Sequence, residues 1–146
     1  MAYVSEILDK KGREVACVSP GQCVLEAVQE MNRRRIGAVV VVERGRVVGM
    51  FTERDVLQRV VGAEKSAKET LVGDVMTDEV ACCRPGTSME EVGAVMAKHR
   101  IRHLPVCSEE GELEGIVSIG DLNAWEVDGK EETIHWMHAY IEGSVR

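Results

Sequence analysis

Gly49-Met50-Phe51-Thr52-Glu53-Arg54-Asp55 recurs later in the chain as Gly115-Ile116-Val117-Ser118-Ile119-Gly120-Asp121. Each stretch reads glycine, two apolar residues, a hydroxyl residue, two variable residues and aspartate. Working outward, an offset of 65 aligns Val15-Ala16-Cys17 with Val80-Ala81-Cys82, Pro20-Gly21 with Pro85-Gly86, and Arg35-Ile36 with Arg100-Ile101. One extra residue in the second copy moves the offset to 66 by Gly45 and Gly111. The lead-in recurs as well, Val4-Ser5-Glu6-Ile7-Leu8 against Val72-Gly73-Asp74-Val75-Met76. Self-similarity held in one register marks two copies of one structural unit.

Each copy predicts the order β-α-β-β-α. Short extended segments at Ala16-Cys17-Val18 and Ala81-Cys82-Cys83 end at Pro-Gly. Val24, Val28 and Met31, and Met89, Val92 and Met96, keep helical spacing. Thr87 and Ser88 with Glu90 and Glu91 offer a capping box. The β-branched run Ala38-Val39-Val40-Val41-Val42 predicts a buried strand. Its counterpart contains Pro105, which cannot donate a ladder hydrogen bond and so predicts an edge strand. Arg44-Gly45 and Glu110-Gly111 predict hairpin turns, and new helices start at Thr52 and Ser118. The expected organisation is a first unit over 1–62, a linker over 63–71, a second unit over 72–128 and a tail over 129–146. Ile134, Met137, Tyr140 and Ile141 predict a helix in that tail.

Composition narrows the partners. The chain of 146 residues carries a formal net charge of -7 and five aromatic residues, Tyr3, Phe51, Trp125, Trp136 and Tyr140. Both features argue against nucleic acid or an anionic membrane as the main partner. The N-terminus shows no basic flank ahead of an apolar run, so no signal peptide is expected. Five cysteines with no Cys-x-x-Cys pair fit reduced thiols in a cytoplasm better than a disulfide framework. Arg33-Arg34-Arg35 is expected to be a solvated helix end, and His135-x-x-His138 a surface pair rather than a metal site.

The repeated Gly-apolar-apolar-[Ser/Thr]-x-x-Asp signature resembles the CBS motif, named after cystathionine β-synthase. Asp74-Val75-Met76-Thr77 and Arg102-His103-Leu104-Pro105-Val106 are similar to CBS sequences too. The resemblance spans roughly residues 4 to 127. It implies an α/β (α+β) fold of tandem CBS motifs, two β-α-β-β-α units with pseudo-two-fold symmetry, known as a Bateman module. Such modules bind adenosine compounds in two clefts, commonly dimerise into a disc, regulate another protein and catalyse nothing. The resemblance implies nucleotide-binding positions at Ala16, Cys17, Ile36, Gly37, Ala38, Thr52, Arg54 and Asp55. In the second copy it implies Ala81, Cys82, Arg102, His103, Leu104, Pro105, Ser118 and Asp121. AMP is the first ligand expected, with NAD, ATP or S-adenosylmethionine as alternatives and no cofactor required. A homodimer and a regulated partner protein complete the expectation.

The residue chemistry supports this independently. A carboxylate one turn into a helix accepts two hydrogen bonds from a ribose diol, which suits Asp55 and Asp121. The Thr52 or Ser118 hydroxyl and nearby helix-start N–H groups suit a phosphate. The glycine ahead of each signature permits close approach of a ligand. The same Ser/Thr-x-x-Asp spacing is also a helix cap, and the two roles are compatible. Arg54, Arg102 and His103 have Gly120, Gly37 and Ala38 as counterparts. In similar modules the basic pair reaches across to the other cleft, so the Asp55 cleft is expected to prefer charged phosphates. Cys17 and Cys82 sit beside the adenine-contact segments as small buried thiols, with redox response as the second reading.

Overall fold

The computed structural model describes residues 2–129, with side chains through residue 127. The expected tail helix therefore lies outside the described residues. The first copy comprises α1 (Val4–Lys11), β1 (Cys17–Val18), α2 (Val24–Arg34), β2 (Ala38–Glu43), β3 (Arg46–Thr52) and α3 (Glu53–Asp55). A π-helix, Val56–Val61, continues α3. The second comprises α4 (Val72–Val75), α5 (Met89–His99), β4 (His103–Cys107), β5 (Leu113–Ser118) and α6 (Ile119–Gly129).

The run Ala38–Val42 is apolar throughout because β2 is covered on both faces. Val39 and Val41 join Val24, Ala27, Met31 and Phe51 beneath α2. Ala38 and Val40 join Met50 on the opposite face, against Val80, Leu113 and Ile116 of the second copy. The two sheets therefore pack face to face, and burying each such valine contributes about 1.5–3 kcal/mol.

Pro105 has a larger effect than an edge position. In the first copy the Val40 N–H donates to the Ala16 carbonyl at 3.0 Å, and β1 forms a parallel pair with β2. Pro105 is the counterpart of Val40 and has no N–H to give. The segment 81–83 thus forms no strand; one parallel bridge, Cys83 to Val106, survives. β4 is accordingly an edge strand of a two-stranded sheet, as the proline predicts, with that single bridge on its outer side.

The extra residue of the second copy falls in its hairpin. Arg44 and Gly45, at φ 53° and 78°, form a two-residue loop between Glu43 and Arg46. These paired positive φ values are those of a type I′ turn. The second hairpin is longer, and only Gly111 takes positive φ there, at 83°. Both ladders shift register at equivalent points, Val41/Val42 and Val106/Cys107. Residues 63–71 do more than link the copies. Thr70 and Ala67 carbonyls accept from the N–H groups of Val24 and Leu25, both at 2.9 Å, and so satisfy the start of α2.

The lead-in helices are exchanged. α1 places Val4 and Leu8 in the core of the second copy. α4 places Val72 and Val75 in the core of the first. The contacts come in matched pairs. Val4 N–H donates to the Thr87 carbonyl and Val72 N–H to the Gln22 carbonyl, both at 2.9 Å. Ser5 likewise reaches Pro85 as Gly73 reaches Pro20. Reciprocal contacts of this kind are what an isologous two-fold relation produces.

Candidate functional site

Each signature aspartate closes onto its own hydroxyl residue. Asp55 Oδ2 accepts from the Thr52 N–H at 3.0 Å and the Thr52 hydroxyl at 3.2 Å. The Asp55 N–H donates to Thr52 Oγ1 at 3.3 Å, a reciprocal capping box. Asp121 does the same with Ser118, at 2.8 Å from the Ser118 N–H and 3.1 Å from its hydroxyl. The capping role is thus present in both copies.

The lead-in of the other copy then adds a donor to each carboxylate. Thr77, just beyond α4, donates its hydroxyl to Asp55 Oδ1 at 3.0 Å. Lys11, at the end of α1, places Nζ 2.7 Å from Asp121 Oδ2 and donates to the Ile116 carbonyl at 3.0 Å. Arg59 Nε lies 3.7 Å from Asp55 Oδ1, and its Nη1 donates to the Met76 carbonyl at 2.8 Å. None of these three residues is visible in the paired signatures. Arg59 stands one helical turn beyond Asp55, a spacing that does carry a signal. Lys11 falls opposite Glu79 in the lead-in register, so repeat matching gives no hint of it.

The signature glycines serve this exchange, where a ligand approach was expected. A Cβ on Gly49 would stand 2.6 Å from Met76 Sδ and 2.8 Å from the Thr77 carbonyl oxygen. A Cβ on Gly115 would stand 2.8 Å from a Leu8 methyl. Only glycine lets the exchanged lead-in approach so closely.

The surroundings of the two aspartates differ in exposure and charge. Asp55 is 5% exposed. The Asp121 side chain is 19% exposed, and among the described residues no donor reaches its Oδ1. Within the first signature, the Glu53 carboxylate lies 3.0–3.2 Å from where a Gly37 Cβ would stand, and the Glu53 N–H donates to the Gly37 carbonyl. Its counterpart Ile119 carries no charge. The fixed charge beside Asp121 is therefore Lys11, and beside Gly37 a carboxylate. Lys11 is thus a cation at Asp121 that comparison of the two copies does not reveal.

The remaining expected residues divide as follows. Ala38 pairs with Thr52 and His103 with Ser118, so Ile36-Gly37-Ala38 and Arg102-His103-Leu104 each lie beside their own copy's signature. The Arg102 carbonyl accepts from the Ile119 N–H at 2.8 Å, and Leu104 and Pro105 are buried. Arg54 and Arg102 are exposed and form no ion pair among the described residues. Ala16 is buried and Ala81 half-buried, whereas Cys17 and Cys82 are exposed, against the expectation of buried thiols. β1 is the outer strand of its sheet. Because the Ala16 carbonyl turns toward β2, the Cys17 N–H and C=O face the outer edge of the sheet. Arg33 and Arg34 both pair with Glu30 at the end of α2. Two cavities in the described structure lie away from both aspartates, one beside Cys82 and Cys107, the other over Glu43, Arg44, Arg46 and Val48.

His103 is half-buried, and burial followed by the Arg102 charge pushes its pKa below the ordinary 6.5, with Glu53 opposing and Lys11 adding to the depression. The unfolded chain therefore binds this proton more readily than the fold does. Stability is full above about 6.5 and falls as pH drops through that value toward the folded pKa. Urea midpoints measured from pH 7.5 down to 5.5 are expected to decline less in His103→Gln than in the parent. Parallel declines would remove His103 as a cause.

With this geometry in place, comparison with known proteins identifies the class. A family model described as "CBS domain" matches the chain twice, over residues 4–62 and 72–127. The chain belongs to the CBS-domain family, with an α+β fold of two CBS motifs. It is 38% identical over 119 residues to the CBS domain-containing protein YhcV of Bacillus subtilis, covering 82% of this chain and 84% of that protein. The CBS-domain containing protein ATU1752 from Agrobacterium tumefaciens is similar in structure, with TM-score 0.79, 37% identity and coverage of 86% and 99%. The CBS domain protein PAE2072 from Pyrobaculum aerophilum, solved in complex with AMP, has TM-score 0.74 and 25% identity, covering 82% of this chain and 89% of its own. No helix among the described residues is long and apolar enough to cross a membrane.

Proposed function

We propose that this chain is a regulatory module that binds an adenosine nucleotide and acts through a partner protein, without catalysing a reaction. AMP is the first ligand, ahead of NAD, ATP and S-adenosylmethionine, and the working form is a cytoplasmic homodimer. The observation that carries the reading is the Asp121 group. A partly exposed carboxylate offers Oδ1 to a ribose diol, with the Lys11 ammonium 2.7 Å from Oδ2 and available to a phosphate. The AMP bound to the related PAE2072 supports the choice of ligand. The Glu53 carboxylate disfavours a phosphate near Gly37, so the charged ligand is assigned to the Asp121 cleft.

The test is calorimetric titration with AMP, adenosine, ATP, NAD and S-adenosylmethionine. AMP is expected to bind more tightly than adenosine. Asp121→Ala is expected to weaken AMP by about tenfold or more, the worth of lost charge-assisted hydrogen bonds. Lys11→Met is expected to shrink the preference for AMP over adenosine while leaving adenosine binding nearly unchanged. The second reading, a structural dimerisation module with vestigial clefts, draws support from the complete capping of Asp55. Absence of heat with every ligand in the panel would establish that reading instead.

A further inference from the structure

The second copy holds a pair of sulfurs that the first does not. Cys82 Sγ and Cys107 Sγ lie 3.2 Å apart in a thiol–thiol hydrogen bond. Both line a cavity of about 210 Å³ together with Arg84, Cys83, Glu109 and Val47. Cys82 is exposed and Cys107 is 4% exposed. At the matching positions of the first copy, Cys17 keeps a thiol, but Val42 replaces the second sulfur and Ser19 the arginine. The chain thus carries its own control.

We propose that Cys82 and Cys107 form a peroxide-responsive dithiol, a covalent modification site in which a hydroperoxide oxidises Cys82 and Cys107 then closes a reversible disulfide.

The chemistry follows from the placement. The Cys107 S–H donates toward Cys82 and stabilises a thiolate there, and the Arg84 guanidinium adds to this, bringing the Cys82 thiol down to about 7. Cys107, its partner, is pushed upward and keeps its proton. Cys83 is buried and pushed up to about 12, so it does not compete near neutrality. Burial also raises Cys17. The Cys82 thiolate attacks one oxygen of hydrogen peroxide, the O–O bond breaks, and sulfenic acid and hydroxide form. Cys107 sulfur then attacks the Cys82 sulfur, a sulfur–sulfur bond forms as the S–O bond breaks, and the sulfenic hydroxyl leaves as water with the Cys107 proton, while the hydroxide of the first step takes up the proton that Cys82 released to solvent. Across both steps two thiols and one peroxide become one disulfide and two waters. The sulfurs must close from 3.2 Å to about 2.0 Å, a movement that the adjoining cavity accommodates. A dithiol such as reduced thioredoxin reverses the change by thiol–disulfide exchange.

The experiment treats the fully reduced chain with one equivalent of hydrogen peroxide at neutral pH, blocks remaining thiols by alkylation and maps peptides by mass spectrometry. The expected product links the Cys82 and Cys107 peptides, two hydrogens lighter than their sum, while Cys17 and Cys23 are recovered alkylated. Cys82 is expected to react about threefold or more faster than Cys17, as its larger thiolate fraction outweighs its lower intrinsic nucleophilicity. Cys107→Ser is expected to leave sulfenic acid on Cys82, captured by dimedone, and Arg84→Gln to slow the reaction several-fold. Oxidation of Cys17 at the same rate, or an alkylatable Cys82 after treatment of the parent chain, would overturn the proposal without recourse to any variant.

Discussion

Leu8→Ala is expected to destabilise the fold by about 2–5 kcal/mol, the range for truncating a leucine in a packed core. Leu8 is 0% exposed and belongs to the core of the second copy. Gly115→Ala alone is expected to destabilise by about 1–3 kcal/mol through overpacking, because its new methyl meets the Leu8 methyls. Together the two changes partly compensate: the methyl added at Gly115 occupies space that Leu8 vacates. The double mutant is therefore expected to lie above additivity by about 1 kcal/mol, within the range for residues in contact. Met76→Ala with Gly49→Ala should couple in the same sense, while Leu8→Ala with Gly49→Ala should add. Urea unfolding of the eight proteins measures all three cycles. Coupling of Leu8 to Gly49 in place of Gly115 would mean that each lead-in stays with its own copy.

Asp55→Ala is expected to destabilise by about 2–4 kcal/mol, with Asp121→Ala limited to about 1 kcal/mol. The asymmetry follows from burial. Removing the Asp55 carboxylate strands the Thr52 N–H and the Thr77 hydroxyl in a site that water barely reaches, and it removes the cap of α3. Asp121 is more open, so water can replace what Ser118 and Lys11 lose. Thermal unfolding of both variants gives the comparison. Equal losses, or a stabilised Asp55→Ala, would show that the Asp55 carboxylate is held against the fold's interest, as a ligand-binding group can be.

The helix after the first signature illustrates how a repeat can diverge within one pattern. Thr52 and Ser118 both start helices, yet the first becomes a π-helix ending where the Gly62 N–H meets the Leu57 carbonyl at 2.8 Å. A Cβ on Gly62 would stand 2.8 Å from that carbonyl oxygen. Hydrophobic spacing marks both segments as helical and cannot distinguish a π-turn from an α-turn.

Much of the fold was legible in the residue string. The offsets of 65 and 66 specify two copies, β-branching marks β2, and the Thr52–Asp55 and Ser118–Asp121 spacings mark both capping boxes. These are local features, read within a few residues or by comparing one copy with the other. Tertiary structure alone decided which copy each lead-in serves, since Leu8 and Met76 carry the same apolar signal whichever core receives them. It also decided that Lys11 pairs with Asp121 across 110 residues, and that Cys107 meets Cys82 across 25. The charge of a cleft and the reactivity of a thiol depend on neighbours within a few ångströms, and packing brings those neighbours from distant parts of the chain.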